Sequence, residues 1–240
     1  MKRLFILLAI LVCTQDMSAQ LFSKERVQNL QNFDKPRFSY GYILGFNFYD
    51  FNFDYNVPEE GDPLTEVIHD ESTGFSVGLL GNMRINDYFD LRFEPMVTFS
   101  TRNLLFNSTD FEITDTFRSQ REVKSTYVHL PLLLKVSTKR INNIKPFIVG
   151  GISTSLNLSS NEDNPDDNAA GQFRMKTNTN YYEIGFGVDL YLYYFKFTPS
   201  IRGVFAMSDE LVRDNDPLSP WTSNIDKMSS RGIFINFTFQ

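Results

Sequence analysis

The sequence predicts an all-β fold: an eight-stranded antiparallel transmembrane β-barrel with short periplasmic turns and long extracellular loops. Three observations predict it. Apolar residues recur at every second position through most of the chain, the links between those segments alternate long and short, and aromatic residues gather at the short links. The chain has 24 Phe and 11 Tyr against a single Trp, yet its mean hydropathy is only −0.26. Aromatic side chains favour strands. Low mean hydropathy with alternating aromatics suits a barrel wall, because only half of each strand faces lipid.

The first residues, "MKRLFILLAILVCTQDMSAQ", read as a secretory signal peptide, 1–19, with Lys2 and Arg3 ahead of the apolar run Leu4 to Val12 and a small-residue site at Ser18-Ala19. That run is shorter than the roughly 20 apolar residues a membrane helix needs. A lipoprotein site requires a small residue before its cysteine, and Val12 precedes Cys13. Removal of 1–19 takes away the one cysteine and changes the net charge from −6 to −7 (21 basic and 28 acidic residues). A mildly acidic chain without a basic stripe is a poor nucleic-acid binder.

Residues 20–36 form a lead-in. Within it "SKERVQNLQNF" has the pattern of a short helix capped by Ser23, with Val27, Leu30 and Phe33 on one face. A helix so short needs a partner for stability, so the segment is either a periplasmic docking element or unstructured.

The barrel is expected over 37–240. In the first strand Phe38, Tyr40, Tyr42, Leu44, Phe46 and Phe48 share a face; the phase then passes to Tyr49, Phe51, Phe53 and Tyr55, which predicts a bulge. The second sets Phe75, Val77, Leu79 and Met83 against Gly74, Ser76, Gly78, Asn82 and Arg84. The third opposes Phe89, Leu91, Phe93, Val97 and Phe99 to Asp90, Arg92, Glu94, Thr98 and Arg102. The fourth sets Val128, Leu130, Leu132, Leu134 and Val136 against Tyr127, His129, Leu133 and Lys135. "KPFIVGGISTSLNL" is strand-like, with its faces left open. The sixth opposes Tyr182, Ile184, Phe186, Val188 and Leu190 to Glu183, Gly185, Gly187 and Asp189. The seventh opposes Phe195, Phe197, Ile201 and Phe205 to Lys196, Thr198, Ser200 and Arg202. The chain closes on "RGIFINFTFQ", with Ile233, Ile235, Phe237 and Phe239 on one face.

Long links of 56–72, 105–121, 159–180 and 207–229 alternate with the short "NDY", "KRINNI" and Tyr191–Tyr194 reversals. This is the rhythm of an outer-membrane barrel with both termini in the periplasm. Tyr88, Phe89, Tyr191, Tyr193, Tyr194 and Phe195 fit an interfacial girdle at the short turns. A soluble barrel or sandwich would also alternate, with its apolar face inward; the loop asymmetry, and spans reaching the ~9–11 residues of a tilted strand, favour the membrane. Pro95, Pro131 and Pro199 fall inside strands, where each removes a ladder donor, and bulges are expected there.

Eight strands enclose only enough room for side chains. Arg84, Asp90, Arg92, Glu94, Arg102, His129, Lys135, Glu183, Asp189, Lys196 and Arg202 are expected to fill that interior as a polar cluster. Charges placed there must be paired or solvated, and a plugged barrel is favoured over a proton or solute path. His69, beside Asp70 and Glu71 in the first long loop, is a candidate for hydrolase chemistry, though an exposed loop histidine is the ordinary reading. Glu162, Asp163, Asp166 and Asp167 suit a divalent ion but lack the order of an EF-hand, which favours a solvated acidic loop. Trp221, in another outer loop, is read as a partner anchor or a lipid-boundary residue. No cofactor is expected.

"QNLQNFDKPRFSYGYILGFNFYDFNF", "LRFEPMVTFSTRNLLF", "TYVHLPLLLKVS" and "KPFIVGGISTSLNL" together resemble the PorT family of outer-membrane β-barrels of the Bacteroidetes, over nearly all of the mature chain. The resemblance implies a non-enzymatic component of type IX protein secretion, in some species also supporting gliding motility. Its implied partners are outer-membrane lipid, lipopolysaccharide and other secretion components, with the oligomeric state left open. No functional residue carries over. Two other classes stand beside it: a structural or adhesive outer-membrane barrel, and an outer-membrane hydrolase.

Overall fold

Alternation along the chain becomes a closed ring of antiparallel strands. The computed structural model describes residues 28–56, 65–71, 73–108, 120–165, 173–216, 219 and 221–240. Ten strands are formed: β1 (Phe38–Tyr55), β2 (Thr65–Glu71), β3 (Thr73–Arg84), β4 (Phe89–Phe93), β5 (Met96–Ser108), β6 (Gln120–Ser137), β7 (Ile144–Asn157), β8 (Asn178–Tyr191), β9 (Lys196–Ala206) and β10 (Ile225–Phe239). They make eight ribbons, because β2 and β3 both pair with β5, and β4 and β5 are parted only at Glu94-Pro95. The ring closes through β1, which pairs with β3 from Phe38–Met83 to Phe48–Thr73 and with β10 from Tyr42–Phe239 to Tyr55–Ile225. The last strand therefore has no open edge over that span.

No bulge forms at the strand prolines, contrary to the expectation. Register is unbroken through Pro131 opposite Ser153 and Pro199 opposite Phe237. Across Pro95, Phe93 pairs with Leu132 and Met96 with His129. Each proline loses its own donor, but the carbonyls of two still serve the ladder: Leu79 N donates to Pro95 O at 2.9 Å and Glu94 N to Pro131 O at 3.1 Å. The expected bulge at Phe48-Tyr49 is absent too, and the register shift in β1 falls at Asp54/Tyr55. Tyr49 and Phe51 continue the inward row, each 1% exposed.

Through the lower ring, towards the short turns, the outer wall is apolar. Phe46, Phe75, Leu132, Ile148, Ile152, Ile184, Phe186 and Ile233 are all exposed, while the alternate positions are buried and, from β4 to β9, carry charge. β7 resolves in the same way, with Ile148 and Ile152 outward and Phe147, Val149, Ser153 and Ser155 inward. A soluble barrel would have the opposite polarity.

Towards the long links the polarity inverts. Phe51, Val67, Leu104, Phe106 and Val123 point inward and meet Phe173, Met175, Leu211 and Trp221 from the links, with Ile225 and Met228 from β10. Trp221 packs edge-on against Phe106 at 5.0 Å. It is 7% exposed, in the core of this cap, so it is neither a lipid-boundary residue nor an exposed anchor. A smaller apolar cluster, including Ile43, Leu80, Met96 and Phe234, lies within the ring itself.

The strands also run further than expected. His69 lies on β2, its backbone opposite Leu104, and not in a loop. β10 begins at Ile225, shortening the last link. In the lead-in, Gln28–Arg37 forms bends and turns, not helix; residues 1–27, with the signal peptide and the expected cap Ser23, lie outside the described residues. Tyr191 is turned inward, 1% exposed, and leaves the girdle to Tyr88, Phe89, Tyr193, Tyr194 and Phe195.

Candidate functional site: the charged interior and its closures

The inward positions of β4 to β9 deliver three groups of polar side chains. Nearest the short turns, Lys135 Nζ donates to Asp189 Oδ2 at 2.6 Å and Thr198 Oγ1 to Asp189 Oδ1 at 2.8 Å. The Lys135 ammonium lies 4.1 Å from the Phe147 ring centroid, so a cation–π contact adds to the ion pair. Asp90 and Lys196 are buried at the same end.

In the middle the side chains form a continuous chain. Arg92 Nη2 meets Glu94 Oε1 at 2.9 Å, and Arg202 Nη1 meets Glu94 Oε2 at 2.8 Å. Arg202 Nε lies 2.9 Å from Glu183 Oε2, and His129 Nε2 lies 2.8 Å from Glu183 Oε1. Two guanidinium groups and two carboxylates so neutralise one another, which is the condition for keeping ions out of water. Gly185 makes the space: an added Cβ would fall 2.4 Å from Ile201 O and 2.9 Å from Arg202 Cα. His129 stacks on Phe234 at 6.0 Å.

Towards the cap, Arg102 is buried with its guanidinium 3.8 Å from the Phe51 ring centroid. It donates to Ser125 Oγ and Ser230 Oγ, each at 3.2 Å, and to Tyr127 OH. Ser230 Oγ donates in turn to Glu210 Oε2 at 2.6 Å, and Tyr181 OH donates to Glu210 Oε1 at 2.9 Å. Arg102 and Glu210 are thus joined through one hydroxyl. Glu210 was not legible in the sequence, because it lies in a link where no periodicity marks it as buried. The inward Lys145, also buried, lay on the strand whose faces were left open.

Ten of the eleven expected interior residues are buried within the ring. Arg84 is the correction. It ends β3 at the turn, where its side chain pairs with Asp87 and stays 29% exposed, because the ring wall stops there. In the acidic loop Glu162 Oε2 accepts from Thr177 N at 2.7 Å. The Thr177 side chain, and then that backbone bond, hold the Glu162 carboxyl below its ordinary value. Asp166 and Asp167 lie outside the described residues, and among the described residues no three metal-ligating side chains converge.

In the link after β9 two neighbouring carboxyls are shifted oppositely. Burial would raise Asp209, but it is outweighed by the N–H groups of Met228 and Leu211 and by Arg213, and its value falls. For Glu210 burial wins over Ser230, Arg102 and Tyr181, and its value rises.

The short-turn end is closed by the lead-in. Asn29 N donates to Asn143 Oδ1 at 2.9 Å, Asn29 Nδ2 to Tyr191 O at 3.0 Å, and Tyr191 OH to Asp34 Oδ2 at 2.6 Å. Ring closure, an apolar outer band and a charge-filled interior belong together in a lipid-embedded barrel.

Residues 19–212 match the family model described as outer membrane protein beta-barrel domain. The chain belongs to that family. As an outer membrane protein beta-barrel, it resides in the outer membrane, in contact with lipid and lipopolysaccharide, and its short turns face the periplasm. It is similar to the outer membrane protein OprG from Pseudomonas aeruginosa, at 14% identity over 83% of this chain and 94% of that chain, with a TM-score of 0.42. Neisserial surface protein A is similar at 10% identity over 84% and 97% of the two chains, with a TM-score of 0.41. AlkL, solved in DMPC bilayers, is similar at 12% identity over 91% and 94%, with a TM-score of 0.42. No curated protein matches the chain.

Two predictions follow from the interior of this barrel. Glu183→Ala, which takes the carboxylate from His129 and leaves Arg202 to share Glu94 with Arg92, is expected to cost about 3–5 kcal/mol, whereas Arg84→Ala at the wetted rim costs about 0–1 kcal/mol. Denaturant unfolding in micelles measures both, and equal losses would contradict the buried network. Glu210 sets a pH dependence. Its folded value is raised, so its contribution is complete below the unfolded value of about 4.3 and is lost as pH rises through the folded one. Cap unfolding followed by Trp221 fluorescence should therefore show greater stability as pH falls from neutral towards that range, and Glu210→Gln should flatten the trend.

Proposed function

We propose that this barrel is a PorT-type component of type IX protein secretion, acting through contact with other proteins and not as a conduit or a catalyst. The observation that carries the non-conduit part is the filled interior: Arg92, Glu94, Arg202, Glu183 and His129 join into one buried chain where a lumen would run. An eight-stranded ring has no room for both that chain and a solute. The secretion role rests on the resemblance of the leader, of "LRFEPMVTFSTRNLLF" and of "TYVHLPLLLKVS" to PorT sequences. Surfaces then remain as the means of action, at the folded outer cap and at the periplasmic turns with their lead-in.

A second reading is favoured by the cap. Trp221, Phe106 and their neighbours make a rigid apolar core above the lipid band, a suitable base for binding external ligands as a general structural or adhesive barrel. Deleting the gene separates the two. Accumulation of unprocessed secreted proteins in the periplasm is expected for the secretion role; normal export would overturn it and leave the second reading.

A further inference from the structure

The lead-in does not pack as a secondary-structure element of the barrel. Between Gln28 and Arg37 it makes two internal backbone hydrogen bonds among the described residues, Phe33 N to Leu30 O at 3.0 Å and Lys35 N to Asn32 O at 3.2 Å. Leu30 has φ of 48°, a left-handed conformation that a branched side chain rarely adopts by its own preference. The surrounding mouth imposes that shape. Arg140 spreads its guanidinium over the turn, donating to the carbonyls of Asn29 and Leu30, and also to Asn143 Oδ1 at 2.9 Å. Its guanidinium carbon sits 3.7 Å from the Tyr191 ring centroid. Asn143 and Tyr191 hold the Asn29 amide groups, Tyr191 OH holds the Asp34 carboxylate, and the Lys196 ammonium lies 4.9 Å from the Phe33 ring centroid.

Main-chain groups, one aromatic ring and one carboxylate are each met by a separate group of the mouth, which is how a receptor holds a peptide. Charge supports the same assignment. The mouth offers Arg140, Lys196 and Lys145, with Lys135, against the buried Asp90 and Asp189, so cations are in excess there, and the strap brings Asp34.

We infer that the periplasmic mouth is a peptide-binding site whose resident ligand is the chain's own Asn29–Asp34 strap. A partner segment of the same chemistry, a tight turn followed by an aromatic residue and a carboxylate, exchanges with it. The tether keeps the strap at high effective concentration, so exchange requires the strap to be weakened or the competitor to be abundant. The inference rests on the fold and does not depend on the secretion reading.

The test uses the full mature chain in micelles and a labelled peptide, QNLQNFDKPR. The variant carrying Asn29→Ala, Phe33→Ala and Asp34→Ala removes the strap's side-chain contacts, so that only its main-chain bonds to Arg140 and Asn143 remain, and leaves the mouth intact; it should bind the peptide at least tenfold more tightly than the parent chain. Adding Arg140→Ala should abolish that binding. The heat-dependent gel shift of a folded barrel confirms that each variant has folded. A folded strap variant that ignores the peptide, or binding indifferent to Arg140→Ala, overturns the inference. A second readout keeps the native strap. A spin label at Lys35→Cys should become more mobile when Tyr191→Phe removes the hydroxyl that holds Asp34, and an unchanged spectrum also overturns it.

Discussion

Hydrocarbon offers no hydrogen-bond partner, so every backbone N–H and C=O that enters it must be satisfied by the chain itself. For a sheet, that requires closure. β1 supplies it, with Phe38–Phe48 paired to β3 on one side and Tyr42 onward paired to β10 on the other. The strand prolines show how the rule bends: each gives up a donor, yet register holds, and the carbonyls of Pro95 and Pro131 remain in the ladder.

Once the ring is closed, alternation fixes the rest. Sending Ile184 and Phe186 to lipid sends Glu183 and Gly185 inward, and the same holds for Leu134 against Lys135 and for Ile201 against Arg202. The charges of β4 to β9 are thereby carried inward, and they must neutralise one another. Mutual pairing of Arg92, Glu94, Arg202 and Glu183 meets that need. The boundary of the lipid band can be placed on β1 and β10. On the outer wall Phe48 and Ile233 face one another, and the next outward pair is Asp50 and Arg231, joined at 2.6 Å. Just there the inner wall turns apolar, with Tyr49, Phe51 and Met228. Beyond that level the protein is organised like a water-soluble domain, with its core inside.

This change of regime explains what could and could not be read from the sequence. Within the lipid band period two marks the strands, their faces except those of β7, and ten buried polar residues from Asp90 to Arg202, though not Lys145. The second aromatic row of β1 mimics a slip in phase, but Tyr49 and Phe51 are in phase: Tyr49 packs against Phe234 in the cluster within the ring, and Phe51 belongs to the cap. Trp221 and Glu210 lie in links, where burial depends on which strands the link folds against, and no local pattern carries that information. Arg84 was misjudged for a related reason: alternation gives a side chain's direction, not how far the wall extends around it. The strap was read as a helix from Val27, Leu30 and Phe33, but its shape comes from Arg140 and Tyr191, more than a hundred residues away.

The most direct measurement is depth-resolved quenching by brominated acyl chains in reconstituted vesicles. It needs a chain with Trp221→Phe and one new tryptophan at a time. In that background Phe186→Trp should be strongly quenched and Phe234→Trp, on the inner wall, should not. Equal quenching of the two, or quenching of Phe234→Trp alone, would contradict an apolar band facing lipid around a charged interior.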